Sequence, residues 1–520
     1  MKTSVYTGAQ MKAVDRYAIE TCGIPGLRLM ENAAASIVSE MEKRISLAEK
    51  NCVILCGRGN NGGDGFAAAC MLVTRCAMVQ IVCLAPEDTL SPDAAHYYAQ
   101  ASLYGIEIIR DLDAALAAIA QADIVVDALY GFGFRGALSS ADAMLVSAVN
   151  ASNAFVVSAD IPSGVSADAS NVEGVCIQAN VTVTFTGCKL SAILFDSCSF
   201  YGEIAIADIG IPAEAKQSVK PAAEVIMPKT ALAALGTRRR NAHKGDFGKV
   251  FVLGGSRGMS GAVYMSAQAA LKSGAGLVCA GVPACLSEIM EIKTTEVMTL
   301  ALSEENGGLQ YDAKAIRQAN VYDVLAFGMG VGREYAVQTL LNRIIAEVEK
   351  PIVLDADGLY ALAQNVDVLS GHRQPIVITP HSGEMARLLG VNVAQIEADR
   401  IEYAKKFAAE YNVYVILKGA YTVVAAPDGQ VAVNRFAGNS GMATAGSGDV
   451  LAGICASLLS RTMDMFSALQ AAVYIHALAG DLAAEDKGED GMSACDMLYY
   501  LPYAIKKTAT GILKLSGGFE

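Results

Sequence analysis

The sequence has no tryptophan, few prolines (13 in 520 residues) and only 18% charged residues. With 53% of residues hydrophobic, this excludes a disordered chain, because there is ample apolar surface to offset the entropy of ordering. A basic surplus is also missing. The net charge of −13 argues against a general nucleic-acid binder. The one basic cluster, Arg238, Arg239, Arg240, His243 and Lys244, reads either as a solvated loop or as a local contact with a phosphorylated small molecule. Long apolar runs are absent although the mean hydropathy is +0.35. A spanning helix needs about 20 apolar residues. The quietest stretches, 143–159 and 273–287, are interrupted by Ser and Asn or by Gly and Pro, so no membrane partner is expected. Residues 1–20 carry charges throughout, and no secretory leader is expected. The thirteen cysteines are odd in number, with no CxxC pair and no zinc spacing. They read as small buried hydrophobes of a reducing, cytoplasmic protein.

What is abundant is glycine, 49 residues, set between β-branched runs and Ala-rich helical stretches. Strands are predicted at 52–56, 79–84, 124–128 and 155–159, and again at 250–253, 324–327, 352–354, 376–379 and 413–417. Short continuous apolar strands separated by helices predict α/β architecture, with mostly parallel sheets covered on both faces. The stretch 211–228 is rich in Pro, Ala and charge and lacks a periodic apolar pattern. It divides the chain into two large domains.

In the first part, GRGNNGGDGF (57–66) follows a predicted strand. Gly57, Gly59 and Gly62 match GxGxxG, a spacing that lets backbone approach a phosphate at a helix N-terminus. Alone it is a weak signal. Asn60, Asn61 and Asp64 add hard oxygen donors suited to an alkali or alkaline-earth cation. Two further strand ends carry Asp127, before YGFGFRG, and Asp160, before IPSG. Loops at the C-terminal ends of parallel strands converge on one crevice, so Asn61, Asp127, Asp160 and Ser163 are expected to meet there.

GRGNNGGDGF, DALYGFGFRG and SADIPSG resemble the YjeF N-terminal domain, the NAD(P)H-hydrate epimerase family, over roughly residues 1–217. The resemblance implies a Rossmann-like, three-layer domain. It implies that Asn60, Asn61, Gly62, Gly63 and Asp64, with Gly131, Phe132, Gly133, Phe134, Arg135, Gly136 and Ala137, bind the hydrated dinucleotide. It further implies that Asn61, Asp127 and Ser163 hold K⁺ and that Asp160 contacts the damaged ring as acid/base. Phe132 stands where the family has Thr. The same domain type also serves as a non-catalytic interaction module, and that alternative stays open here.

In the second part, NSGMATAGSGDVLAG (439–453) places Gly446 and Gly448 at an anion-binding turn, with Asp449 beside it able to deprotonate a hydroxyl attacking a nucleotide phosphate. KGAYT offers Lys418 and backbone groups, TPHSGE offers His381 and Glu384, and LDADGL offers Asp355 and Asp357 to Mg²⁺ through water. FGMGVG is a further glycine loop, and no GxxxxGK[ST] occurs. HKGDFG, LDADGL, TPHSGE, LKGAYT and GSGDVLAG, in that order, resemble the ADP/ATP-dependent NAD(P)H-hydrate dehydratase family over roughly residues 223–517. This implies a ribokinase-like α/β domain. By resemblance Ala262, Gly330, His381 and Asp449 contact the hydrate, and Lys418, Gly419, Ala420, Tyr421, Thr422 and Gly448 contact the adenine nucleotide. Asp449 is the expected catalytic base, Mg²⁺ the expected ion, and ADP or ATP the co-substrate. A homo-oligomer is also implied. A small-alcohol kinase shares the nucleotide turn and remains the rival enzyme reading.

Overall fold

The computed structural model describes residues 3–236, 239–461 and 464–510. Arg238 of the basic cluster lies outside them. The chain forms two compact units, the first running to Glu224 and the second starting at Val225. The stretch 211–228 carries a short helix, Ala213–Gln217, and a strand, Ala223–Val225. No helix among the described residues is long and apolar enough to cross a membrane.

The first unit is built on seven parallel strands, in the order Glu107–Ile109, Met78–Val82, Asn51–Cys56, Ile124–Ala128, Phe155–Ala159, Val181–Phe185, Glu203–Ala207. Alternation decides its layers. Cys52, Ile54 and Cys56 pack into one core with Ile37, Met41 and Phe66, whereas Val53 and Leu55 pack into another with Ile119, Leu145 and Val149. Both faces are therefore buried, giving the three layers expected of a Rossmann-like domain. The chain winds outward from Asn51–Cys56 in one direction and from Ile124–Ala128 in the other. The loops after these two strands thus border a topological switch point, where open α/β sheets place their ligand crevice.

The second unit repeats the principle. Its strands run Met298–Leu302, Leu277–Pro283, Lys249–Leu253, Val324–Phe327, Ile352–Leu354, Ile376–Ile378 and Tyr414–Leu417, all parallel. An antiparallel pair, Val423–Ala425 and Val431–Val433, continues the sheet beyond Tyr414–Leu417. The switch point lies between Lys249–Leu253 and Val324–Phe327. Val250 and Val252 join a core with Val450, Leu451 and Ile454 of the helix Ser447–Leu459, while Phe251 faces the other way against Tyr322. All thirteen cysteines are free thiols; eight are buried, and Cys285 and Cys495 are exposed.

The GxGxxG glycines act largely on packing. A Cβ on Gly57 would sit 1.9 Å from the Leu129 carbonyl oxygen, and one on Gly62 would sit 1.8 Å from that of Gly57. Only Gly59 faces open space. Gly57→Ala is therefore expected to lower stability by about 3 kcal/mol, the scale of severe overpacking, because backbone has to shift. Urea denaturation of the full chain checks this.

Candidate active sites

In the first unit the helix Asn60–Leu72 follows Gly59 with no side-chain cap, so its first N–H groups have no intrahelical partner. A cleft of about 1350 Å³ opens beside it, lined by Asn60, Asn61, Asp64, Asp15, Asp160 and Lys189, and by residues 131–135 and Ala137. Gly62, Gly63, Gly136, Asp127 and Ser163 do not line it. Arg135 is tied to the Phe132 and Phe134 carbonyls (3.2 and 2.8 Å) and to Asp168 (3.1 Å), which shapes the 131–137 loop.

Asp160 occupies a left-handed backbone position, φ 68°, and is buried. Its Oδ1 pairs with the Lys189 ammonium and accepts from the Phe185 amide (3.2 Å) and the Thr184 hydroxyl (3.4 Å). Lys189, 1% exposed, also donates to Thr184 Oγ1 (3.1 Å) and to the Phe185 carbonyl (3.0 Å). No protein donor reaches Asp160 Oδ2 among the described residues, which leaves that oxygen for a ligand. Two more acids share the field. Burial, aided by the Asp160 charge and opposed by Lys189, pushes Asp15 up to about 6. Burial, Asp160 and Asp15 hold Asp64 well above the usual carboxylate range.

Asp127 and Ser163 are brought together, but they face one another. Asp127 accepts from Ser163 Oγ (2.5 Å), Ser163 N (2.8 Å), Ser158 Oγ (2.8 Å) and Leu129 N (3.4 Å). Burial raises its pKa against the pull of these bonds. Asn61 packs on Gly131, and its Nδ2 is buried without a partner. A buried amide nitrogen with nothing to donate to is the unfavourable end of that group. Turning the amide presents its oxygen, which a cation would satisfy.

In the second unit the helix Ser447–Leu459 starts after Gly446, at φ 93°, again without a side-chain cap. Asp449 lies in its first turn and is not the cap. Burial, with Asp355 raising and Lys418 lowering, pushes Asp449 up to about 7. Lys418 pairs with Asp355 (2.6 Å) and lies 3.8 Å from Glu384. Burial opposes its charge, but Asp355 and Glu384 outweigh that and hold Lys418 above its ordinary value. Gly448 makes room for the pair: a Cβ there would be 3.2 Å from Lys418 Nζ and 3.4 Å from Asp355 Oδ2. Gly330, at φ 68°, lies against Ala262, whose Cβ would be 3.0 Å from a Cβ at 330.

His381 caps the helix Ser382–Leu389. Its Nδ1 accepts from the Gly383 and Glu384 amides (3.0 and 3.3 Å), and Glu384 accepts from the His381 amide (2.8 Å). That fixes the tautomer, leaving Nε2 to carry the proton on a largely exposed ring. Asp355 and Asp357 do not form a ready metal pair. Asp355 is held by Lys418, and Asp357 accepts from Gly332 N (3.0 Å) and Arg333 Nε (3.3 Å). No group of three or more His, Cys, Asp or Glu suited to a metal occurs among the described residues.

These two sites sit on a chain with full-length relatives. A bifunctional NAD(P)H-hydrate repair enzyme of Moorella thermoacetica is 41% identical over 510 residues, 96% of each chain. The chain belongs to the bifunctional NAD(P)H-hydrate repair enzyme family. A second member, from Thermofilum pendens, is 36% identical over 505 residues, covering 96% of this chain and 95% of its own. Residues 26–191 match a family profile described as YjeF-related protein N-terminus, and residues 250–503 match one described as NAD(P)H-hydrate dehydratase. Among solved structures, a ribokinase-like superfamily protein from Enterococcus faecalis aligns with a TM-score of 0.50 at 25% identity. It covers 56% of this chain and 98% of its own.

Several residues of this repair enzyme carry no motif and were not anticipated: Lys189, Asp15, Arg400 and His476. His476 is buried on the helix Met465–Lys487 and donates from Nε2 to the Ser447 carbonyl (2.9 Å), beneath the anion-binding turn. Burial lowers it to about 4, so it stays neutral there. The local sequence gave only one hint, a lysine closing the strand Cys188–Lys189 among apolar neighbours.

Proposed function

We propose that the first unit interconverts the R and S epimers of NAD(P)H hydrates and that the second dehydrates the S epimer at the expense of ADP or ATP. The observation that carries this is the pairing of two switch-point sites on one chain of the family. One is a cleft presenting a single free carboxylate oxygen on Asp160. The other is an uncapped helix start beside an acid, Asp449, poised near neutrality.

In the second unit Asp449 takes the proton of the C6 hydroxyl, and that oxygen attacks the terminal phosphorus of the nucleotide. AMP leaves from ADP, or ADP from ATP. The N–H groups of Gly446, Gly448 and Asp449 hold the developing phosphate charge, and Lys418 with residues 419–422 holds the nucleotide. The C6–O bond then breaks with phosphate departing, C5 gives up a proton, and the ring double bond returns. Phosphorylation matters because phosphate leaves far more readily than hydroxide. Ala262 and Gly330 form the small-residue floor against which the hydrate rests, and His381 Nε2 donates to it. Mg²⁺ carried by the nucleotide would neutralise phosphate charge, since Asp355 and Asp357 are already held by Lys418 and by Gly332 and Arg333.

In the first unit Asp160 Oδ2 is the acid/base oxygen, Lys189 holds the other carboxylate oxygen, and Asn60–Asp64 with residues 131–137 embrace the dinucleotide. Asn61, Asp127 and Ser163 fit K⁺ in donor chemistry, all being hard oxygens once the Asn61 amide is turned; the ion would order the two loops and balance phosphate charge. The setting is cytoplasmic and the assembly a homo-oligomer, readings supported by the thirteen free thiols and by the family resemblance respectively.

The test is incubation of hydrated NADH with ADP or ATP, with and without K⁺. Recovery of absorbance at 340 nm with release of phosphate is expected, with full conversion of a mixed-epimer pool. Omission of K⁺ is expected to slow consumption of the R epimer and leave S-epimer dehydration unchanged. A stable phosphorylated alcohol as product overturns the reading in favour of a small-alcohol kinase.

A further inference from the structure

Arg400 begins the helix Arg400–Tyr411 and is 8% exposed, an unusual place for a guanidinium. It is not packed away passively. Nη1 donates to Ser382 Oγ (2.7 Å) and to both Glu397 carboxylate oxygens (3.1 and 3.2 Å). Nη2 donates to the carbonyls of Leu417 (3.0 Å) and Lys418 (2.9 Å). Ser382 is the first residue of the helix that His381 caps. Leu417 ends its strand and Lys418 begins the 418–422 loop. One rigid fork thus spans both loops, which also meet through the Lys418 amide and the Pro380 carbonyl (2.8 Å).

Gly419 completes the arrangement. Its φ is 148°, and a Cβ there would lie 2.8 Å from Arg400 Nη2. The loop is therefore laid directly on the guanidinium, and glycine is what permits the contact. The consequence reaches the chemistry through Lys418. Its carbonyl is fixed by Arg400, and its ammonium holds Asp355 and faces Glu384, beside Asp449. A planar five-donor fork can hold two carbonyls and a hydroxyl on another loop at fixed spacing, which a lysine cannot do.

We propose that Arg400 is a positioning residue of the dehydratase, setting the spacing between the His381 loop and the 418–422 loop and thereby the affinity for the nucleotide. This rests on the reading that 418–422 holds the adenine nucleotide. Arg400 itself touches no reacting atom.

The experiment uses the full chain with Arg400→Met, Arg400→Lys, Ser382→Ala and Lys418→Met, measuring nucleotide KM, kcat and R-epimer turnover. The epimerase half serves as an internal control. Loss of charge-assisted bonds to two carbonyls predicts a rise in nucleotide KM of about 10-fold or more for Arg400→Met, with epimerisation within twofold of native. Arg400→Lys should recover part of that, and Ser382→Ala should show a smaller rise. If Arg400→Met does not fold, the Lys and Ala variants decide by the same KM criterion. A nucleotide KM within twofold of native in the folded Arg400 variants, while Lys418→Met raises it, overturns the proposal and keeps the nucleotide reading. An unchanged KM in Lys418→Met as well overturns the reading beneath it.

Discussion

Asp449→Asn is expected to lower dehydration of the S epimer by about 10³-fold while leaving interconversion of the epimers intact. General-base catalysis contributes about 10²–10⁴, and the amide keeps the shape of the site while removing the base. The pH dependence has a definite sign. Burial and Asp355 push Asp449 up to about 7, so it is protonated and idle in mild acid and becomes a competent base as pH rises through about 7. The rate at saturating nucleotide should therefore climb across that window, and the climb should vanish in the variant. Stability moves the opposite way. A carboxyl whose folded pKa is raised stabilises the fold below its unfolded value near 3.8, and that contribution fades as pH rises through about 7. Asp449→Asn should accordingly melt no lower than the native protein at pH 8. Unchanged dehydration in the variant would falsify the assignment of Asp449 as base.

The residues that sequence made visible are those whose chemistry is local. Asn60, Asn61 and Asp64, the 131–137 loop, Asp160, Gly448 and Asp449 all follow apolar strands or glycine turns within a few residues, so strand-end position and residue type suffice to group them. Lys189 was not legible because its partner, Asp160, lies on another strand end, and a lysine in an apolar stretch looks like a misplaced surface residue until the sheet brings them together. Arg400 is similar: its acceptors, Ser382, Leu417 and Lys418, lie on separate loops. The packing role of Gly57 depends on Leu129, just after the neighbouring strand Ile124–Ala128, and that of Gly62 on the fold of the loop back onto Gly57. The antiparallel hairpin, Val423–Ala425 and Val431–Val433, was missed although Pro427, Asp428 and Gly429 between the strands are a turn signal. Capping by His381 was masked because histidine replaces the usual Ser or Thr in a box that still ends in Glu384.

Removing the acid/base of the first unit is expected to produce the complementary phenotype. Asp160→Asn should cut R-to-S interconversion by about 10²-fold or more and leave dehydration of supplied S epimer unchanged. A mixed pool would then drain only as far as its S fraction, read as a truncated recovery of absorbance at 340 nm. Lys189→Met tests how the same carboxylate is held. Lys189 is the cation paired with Asp160, and burial holds the neighbouring Asp15 and Asp64 above the usual carboxylate range. Without the ammonium, the Asp160 carboxylate loses the contact that fixes its Oδ1 and with it the orientation of Oδ2. R-epimer turnover in the variant should fall, while dehydration of supplied S epimer stays unchanged. The variant should also lose about 3 kcal/mol or more of stability in the first unit, since breaking a buried pair leaves Asp160 uncompensated. A non-catalytic interaction module predicts otherwise: Asp160→Asn would leave the slow spontaneous interconversion rate unaltered, because the native chain would add nothing to it.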